Sequence, residues 1–267
     1  MNKEKCGELM GMRASLVAGI VVVSALASGC GSSSDGGGDT ETCSTLKIAG
    51  GTECPTPPKS IVVVRTNTGY CSGTFITKRQ VLTAAHCFAY GGAAGASVLS
   101  QYYSYSATKV QVHPSFNPSV PSDQNDIAVV TIGADAPVDP VPLNTSADLK
   151  DGDSVVTYGF GLDQNDDTYI GRIEAGEAPA KATSLDVISV SDFAIKSISD
   201  GSGDTCQGDS GGSLLFTGNN GQPGVIAIVR AGPLPCQPEG GPSDNTNIQA
   251  ASVLNFIKSA APGARFN

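Results

Sequence analysis

Basic residues are scarce in this chain of 267 residues, which has 16 lysines and arginines against 25 aspartates and glutamates and a formal net charge of -9. They form no cluster along the sequence, and a protein that binds nucleic acid needs a positive surface to meet the phosphates. The sequence therefore argues against a nucleic-acid partner. The acidic residues are spread out as well, a pattern that favours solubility and says little about a substrate.

Long helical patterns are missing until the C-terminal end, and the chain contains 33 glycines and 16 prolines. Such a composition favours many short strands joined by turns. The clearest β-like runs are 61–65, 74–76, 110–112, 127–132, 154–158, 185–190, 213–216 and 225–229. A helix is expected over 250–260, where Val253, Leu254 and Ile257 recur at helical spacing. We therefore predict an all-β barrel or sandwich with one C-terminal helix.

Only two histidines are present, so few residues can serve as a general base. His86 lies in the segment Thr83–Cys87, whereas His113 precedes a proline, a position typical of a turn residue. Asp126 begins an apolar run, 127–132, and a carboxylate in such a place needs a polar partner. His86 is the partner that we expect for it.

The candidate nucleophile is Ser210, in the segment Cys206–Gly212. Glycines on both sides of this serine let a substrate backbone approach its hydroxyl. They also permit a tight turn that directs backbone N–H groups at one point, where they can stabilise an oxyanion. Together with His86 and Asp126, this turn has the residue types that acyl transfer to an alcohol requires.

The N-terminus is typical of an export signal, because Lys3, Lys5 and Arg13 accompany an apolar run over 14–27. The run ends in Leu-Ala-Ser-Gly-Cys and resembles a bacterial lipoprotein signal, in which Cys30 becomes the lipidated first residue. We therefore expect a signal peptide over 1–29 and an exported, lipid-anchored or secreted protein of the bacterial cell envelope. Secretion without lipid, or a single uncleaved anchor, remain alternatives.

A tether is expected after the signal, since 31–42 consists largely of glycine, serine and aspartate and cannot bury enough apolar surface to fold. We assign 30–47 to this tether and an activation segment. Of eight cysteines, Cys6 falls in the signal and Cys30 would carry lipid, which leaves six. Six cysteines allow 15 pairings in an exported chain and are too dispersed to indicate zinc.

The three segments around the candidate residues resemble the motifs of the chymotrypsin/trypsin family of serine proteases. Thr83–Cys87 matches the family's histidine motif, 125–130 the strand with the catalytic aspartate, and Cys206–Gly212 the serine motif. The order His, Asp, Ser differs from that of subtilisin-like enzymes and α/β-hydrolases. The resemblance implies a peptidase domain over 48–267, built from two six-stranded antiparallel β-barrel lobes and a C-terminal helix.

The resemblance also assigns roles to individual residues. Ser210 attacks the scissile carbonyl, His86 takes and returns the proton, and Asp126 holds the imidazole tautomer. The N–H groups of Gly208 and Ser210 form the oxyanion hole. Two disulfides are implied, Cys71–Cys87 and Cys206–Cys236. Cys54 also stands where many trypsins have a cysteine, but the position of that cysteine's usual disulfide partner is not a cysteine in this chain.

Cys43 and Cys54 are the cysteines left over, and a disulfide between them is the simplest hypothesis. The alternative is that one or both stay free. Lys47-Ile48-Ala49-Gly50-Gly51 resembles the family's activation site, so cleavage after Lys47 would free the α-amino group of Ile48. In the family that ammonium pairs with the aspartate before the nucleophile, here Asp209. We therefore expect a zymogen.

Specificity for arginine or lysine is implied by Asp204, which stands at the family position that forms the floor of the trypsin pocket. Gly232 ends the strand that enters this pocket. Arg230 in that strand departs from the family's usual Ser-Trp-Gly, and it either points away or competes for Asp204. Ser243 stands where trypsins have glycine and would narrow the pocket.

No cofactor or metal is expected. Calcium in particular is not expected, because the family's calcium loop supplies carboxylates that 88–112 lacks. The expected partners are protein or peptide substrates of a monomeric enzyme, with a membrane reached only through a lipid at Cys30. Three competing hypotheses use the same features: an inactive binding module on this fold, an adhesive surface lipoprotein, and an esterase with the same triad.

Overall fold

The computed structural model describes residues 58–100, 102–120, 125–162, 169–175, 178, 180–201, 203–218, 221–236 and 240–267. The expected signal peptide and tether, with Cys30, Cys43, Lys47, Ile48 and Cys54, lie outside the described residues. Among the helices of the described ranges, none has the length and apolar character needed to cross a membrane.

The first barrel is formed by six antiparallel strands in the N-terminal half of the described chain. The strands are β1 Ile61–Thr66, β2 Gly69–Phe75, β3 Gln80–Thr83, β4 Ser97–Ser100, β5 Tyr103–Val112 and β6 Ala128–Ile132. They close in the order β1-β2-β3-β6-β5-β4, with β1 hydrogen-bonded to β4. Closure leaves no free strand edge to template aggregation.

The second barrel repeats this arrangement in the C-terminal half. Its strands are β7 Ser154–Gly159, β8 Lys181–Val190, β9 Ala194–Ser199, β10 Ser213–Thr217, β11 Pro223–Ala231 and β12 Ser243–Asn247. They close in the order β10-β11-β12-β9-β8-β7. The two closed six-stranded barrels confirm the fold class that the sequence resemblance implied.

Strand β1 explains how the barrels pack, because its first four residues are all apolar and all buried. Successive side chains of a strand point to opposite faces. Val62 and Val64 belong to the core of the first barrel, whereas Ile61 and Val63 pack with Tyr158 and other residues of the second. An unbroken apolar strand therefore marks a strand that is covered on both faces.

The C-terminal helix, α2 Ala251–Ala260, lies against the first barrel although it follows the second in the chain. Val253 and Ile257 are completely buried in the core of that barrel, and Leu254 is half-buried. The predicted helix is confirmed. Its amphipathic face holds the last segment of the chain onto the N-terminal half.

Several elements were not apparent in the sequence. Strand β12 reads Ser-Asp-Asn-Thr-Asn, and four of these five polar residues are buried. Asn245 makes this possible, because its side-chain amide donates to the carbonyl oxygen of Ile195 at 2.9 Å and to Oγ of Ser197 at 3.0 Å. A short helix, α1 Tyr169–Ala175, follows β7 and was also not predicted.

Candidate active site

The candidate base and its orienting carboxylate both come from the first barrel. His86 begins a 3-10 turn, His86–Phe88, just after β3, and Asp126 precedes β6, the neighbour of β3. Oδ2 of Asp126 lies 2.6 Å from Nδ1 of His86, and Oδ1 accepts the backbone N–H of the same histidine at 2.8 Å. Both carboxylate oxygens therefore hold His86.

Burial separates the two partners of this pair. Asp126 is 2% exposed, whereas the side chain of His86 is 35% exposed. The carboxylate fixes the Nδ1 side of the ring, which leaves Nε2 as the nitrogen that can exchange a proton with a substrate or a nucleophile. This arrangement is suited to general acid–base catalysis.

The turn that carries Ser210, Cys206–Gly212, belongs to the second barrel and lies between Asp204 and β10. We call it the Ser210 turn. It packs against the first barrel, because the backbone N–H of Ser72 in β2 donates to the carbonyl oxygen of Ser210 at 2.8 Å. A Cβ atom at Gly211, where φ is +83°, would lie 2.1 Å from Oγ1 of Thr83 and 2.9 Å from the nitrogen of Ala84. Only glycine lets the turn come this close to the segment that leads to His86.

Backbone hydrogen bonds fix the peptide planes of this turn. The carbonyl of Gln207 accepts from the N–H of Leu162 at 2.7 Å, and that of Asp209 accepts from the N–H of Gly212 at 2.8 Å. In a planar trans peptide the N–H points opposite to the carbonyl. Within the described chain, these bonds leave the N–H groups of Gly208 and Ser210 unused by the backbone. They are the two donors expected to form an oxyanion hole.

Asp209, beside the candidate nucleophile Ser210, is completely buried. Its Oδ1 accepts the N–H of Gly161 and its Oδ2 accepts the N–H of Cys206, both at 2.8 Å. Burial raises the pKa of Asp209 to about 7, although these two N–H groups and the charge of Lys181 oppose the rise. An ionised Asp209 therefore gains from any additional cation that reaches it.

The expected floor of the pocket, Asp204, is also completely buried. Its Oδ1 accepts the N–H of Thr205 at 2.7 Å and the hydroxyl of Ser243 at 3.2 Å, whereas Oδ2 has no hydrogen-bond partner among the described residues. Burial raises the pKa of Asp204, opposed by the hydrogen bonds from Thr205 and Ser243. A Cβ at Gly240 would lie 2.2 Å from Oδ2, so a side chain at this position would clash with the buried oxygen.

Ser243 and Arg230, the two departures from the family pattern, are both explained by their contacts. Ser243 donates to Asp204 and forms a second hydrogen bond of 2.7 Å with the hydroxyl of Thr205. Arg230 sits at an irregularity where β11 shifts register against β12, and its Nη2 lies 3.1 Å from Oδ2 of Asp244. We expected Arg230 either to point away from Asp204 or to compete for it; the structure shows an ion pair with Asp244.

Gly232 directly follows β11. A Cβ atom at this position would come within 2.6 Å of Oγ1 of Thr205, the neighbour of Asp204. The structure contains the disulfides Cys71–Cys87 and Cys206–Cys236. The first joins β2 to the 3-10 turn of His86, and the second joins the start of the Ser210 turn to the segment that follows Gly232. Each disulfide therefore closes a loop next to a candidate site residue.

The second histidine, His113, lies away from these contacts. Its Nδ1 accepts the N–H of Ser115, Nε2 lies 3.3 Å from the carbonyl oxygen of Ser252, and the ring packs edge-on against Phe256. It therefore anchors α2. Among the described residues, Cys71, His86 and Cys87 come close enough to suggest a metal site, but the two sulfur atoms are bonded to each other.

Sequence reasoning missed the segment Phe160–Leu162, which supports the Ser210 turn from behind. Three consecutive N–H groups of this segment donate to Oγ of Ser72, Oδ1 of Asp209 and the carbonyl of Gln207. Cβ atoms at Gly159 and Gly161 would lie 2.0 and 2.1 Å from the carboxylate of Asp209. The Gly-Phe-Gly sequence after an expected strand was the signal that could have identified it.

Comparison with known proteins agrees with this geometry. The family model described as "Trypsin" matches residues 48–257. Kallikrein 1-related peptidase b21 of Mus musculus is 28% identical over 232 residues, covering 76% of this chain and 85% of that protein. The CLIP domain-containing serine protease B4 of Anopheles gambiae is 26% identical over 231 residues, covering 71% of this chain and 61% of that protein.

Clotting factor C of Tachypleus tridentatus is 25% identical over 182 residues, which cover 55% of this chain but 18% of the clotting factor. The match thus spans about a fifth of that relative's length. The family model, by contrast, covers well over half of this chain and includes the segments of His86, Asp126 and Ser210. The chain therefore belongs to the trypsin family of serine proteases.

Proposed function

We propose that this protein is a serine endopeptidase that hydrolyses peptide bonds through an acyl-enzyme formed on Ser210. The observation that carries the proposal is the double contact of Asp126 with His86, at 2.6 and 2.8 Å, beside a glycine-rich turn whose N–H groups at 208 and 210 are unused by the backbone. Base, orienting group, nucleophile and oxyanion donors are the four parts that acyl transfer to an alcohol needs.

The proposed mechanism follows from these contacts. Nε2 of His86 takes the proton of Ser210 as its Oγ adds to the scissile carbonyl, and the N–H groups of Gly208 and Ser210 stabilise the oxyanion. The imidazolium then protonates the leaving amine, and the C–N bond breaks to give an acyl-enzyme. Water then adds to the acyl carbonyl as His86 takes its proton, and the ester C–O bond breaks, which releases the acid product and returns the proton to Oγ of Ser210. Asp126 keeps a hydrogen on Nδ1 and stabilises the transient imidazolium beside it.

We further propose a preference for arginine or lysine before the cleaved bond. Asp204 stands at the family position of the pocket floor and offers a buried carboxylate oxygen with no hydrogen-bond partner among the described residues. The cation of a substrate side chain would supply the missing partner. The ion pair between Arg230 and Asp244 favours this proposal, because it gives the guanidinium a carboxylate other than that of Asp204. The hydroxyl of Ser243 already donates to Asp204 and would form part of the floor.

The proposed regulation is activation by cleavage after Lys47. The released ammonium of Ile48 would pair with Asp209, whose complete burial and raised pKa favour a cationic partner. With a Cys43–Cys54 disulfide, cleavage at Lys47 would leave the catalytic domain attached to the tether and to a lipid at Cys30. Electrophoresis of the cleaved protein tests the disulfide, because a fragment released without reductant would contradict it.

The decisive test of the proposed function is covalent labelling of the processed protein with a fluorophosphonate, combined with peptide hydrolysis. We expect labelling at Ser210, and we expect Ser210→Ala to remove both labelling and hydrolysis, with a rate loss of roughly 10⁴-fold or more. Ser213→Ala is the matched control, because that serine lies three residues after Ser210 and is buried at the start of β10. Failure to label a folded, processed chain would contradict the proposal.

A further inference from the structure

Ser72 lies at the junction between the two barrels, and its side chain contacts both the Ser210 turn and the segment Phe160–Leu162 that supports it. It is completely buried in β2. Its Oγ accepts the backbone N–H of Phe160 at 2.9 Å and donates to the carbonyl oxygen of Gly208 at 2.8 Å. A hydroxyl has one proton to donate, so the proton of Ser72 is used on Gly208.

The bond to Gly208 matters because of what lies on either side of that residue. The carbonyl of Gly208 and the N–H of Asp209 form one peptide plane, and the N–H of Asp209 donates to the carbonyl of Cys206 at 3.0 Å. Ser72 thus fixes the end of this plane opposite to the Cys206 contact. The preceding plane, which carries the N–H of Gly208, is fixed at the carbonyl of Gln207 by Leu162.

Gly208 adopts φ of +97°, a left-handed conformation that only glycine adopts without strain. A glycine has no side chain to limit rotation between its two planes, so external hydrogen bonds must set their orientation. The hydroxyl of Ser72 is the contact that sets the second plane from the side of the first barrel. Its backbone N–H holds the carbonyl of Ser210 as well, so one residue contacts both proposed oxyanion-hole residues.

We propose that Ser72 is a positioning residue for the oxyanion hole, which stabilises the transition state by holding Gly208 in its productive orientation. This inference rests on the proposed function of the same site. Without the hydroxyl, the partly buried carbonyl of Gly208 and the N–H of the buried Phe160 lose this partner, and a shift of Gly208 that relieves the unsatisfied groups also moves the hole N–H on the same residue. The loss then falls on oxyanion stabilisation, whereas substrate side-chain binding is unaffected.

The test is Ser72→Ala in the processed enzyme, measured with a peptide amide substrate and with two matched inhibitors. One inhibitor is a peptide aldehyde, and the other is the corresponding peptide alcohol. Oγ of Ser210 adds to the aldehyde carbon and its proton passes to His86, which leaves a hemiacetal oxyanion in the hole. The alcohol binds the same subsites and forms no adduct. We expect kcat to fall about 10- to 100-fold with KM nearly unchanged.

The affinity for the aldehyde should fall by a factor similar to that in kcat, and the affinity for the alcohol should stay within about twofold. Thr74→Val is the matched control, because Thr74 is equally buried two residues further along β2 and its hydroxyl has no hydrogen-bond partner among the described residues. It should leave both affinities unchanged. If Ser72→Ala does not fold, Ser72→Gly is measured by the same criteria.

An unchanged ratio of aldehyde to alcohol affinity in a folded Ser72 variant would overturn the inference, because a purely structural role lowers stability without selecting the adduct. That outcome leaves the proposed function intact, since the unaltered enzyme still hydrolyses the substrate and binds the aldehyde. An unaltered processed enzyme that forms no adduct at all would instead refute the proposed function.

Discussion

The two barrels bury their aspartates at the candidate site in different ways. In the first barrel, Asp126 contacts His86 through both carboxylate oxygens, and the imidazole can become a cation. In the second barrel, Asp204 and Asp209 accept hydrogen bonds from neutral N–H and hydroxyl groups of the described residues, and burial raises both pKa values. The first barrel thus places a titratable partner in direct contact with its carboxylate. In the second barrel the carboxylates are held by neutral donors, with the buried Lys181 as a charge that opposes the rise at Asp209, so both would gain from a further cation that arrives with a substrate or with processing.

The largest expected effect concerns the carboxylate of the first barrel. In Asp126→Asn, the amide oxygen can still accept the backbone N–H of His86, but an amide N–H facing Nδ1 favours the wrong imidazole tautomer. We expect kcat for a peptide amide to fall about 10⁴-fold near neutral pH, with the thermal unfolding temperature little changed. Asp148→Asn is the control, because that carboxylate is on the surface. A loss of less than tenfold would mean that His86 needs no orienting charge.

The second effect tests the dependence of Asp204 on a substrate cation. Asp204→Ser removes the buried oxygen that lacks a partner, so the ratio of kcat/KM for an arginine substrate to that for a leucine substrate should fall roughly 10²- to 10³-fold. Profiling with a peptide library measures the change directly. The rate of fluorophosphonate labelling at Ser210 serves as the control for an intact catalytic centre. Unchanged preference in Asp204→Ser would refute the specificity proposal.

The smallest effect is a pH dependence of stability caused by Asp209. Its pKa of about 7 in the folded chain lies above the ordinary value of 3.8, so the folded state binds a proton more tightly than the unfolded state between these values. The uncleaved chain should therefore lose stability from Asp209 as pH rises from about 4 to about 7, with no further loss above this range. Chemical denaturation of the Ser210→Ala chain measures the slope without autolysis.

The comparison variant for this measurement is Asp209→Asn in the same uncleaved background, which should show a shallower decline over the same pH range. Cleavage after Lys47 should also reduce the decline in the parent chain, because the new ammonium of Ile48 favours the ionised carboxylate. Equal slopes before and after cleavage would contradict the proposed pairing of Ile48 with Asp209.

Much of the fold could be predicted from the sequence because local patterns determine it. The apolar strands, the amphipathic C-terminal helix and the family motifs around His86, Asp126 and Ser210 all lie within short segments. Strand β12 could not be predicted in this way, since its polar residues are buried only because Asn245 finds partners on β9. Propensity assigns such a sequence to a loop, and tertiary contacts override it.

The sequence by itself determined the chemical groups of the candidate site, because acyl transfer requires residue types that stand in recognisable short motifs. The tertiary structure alone decided how they are held. Arg230 pairs with Asp244, and the hydroxyl of Ser72 reaches the carbonyl of Gly208 across 136 positions of the chain. A single sequence does not show such contacts, since they join segments that become neighbours only when both barrels have closed and packed together.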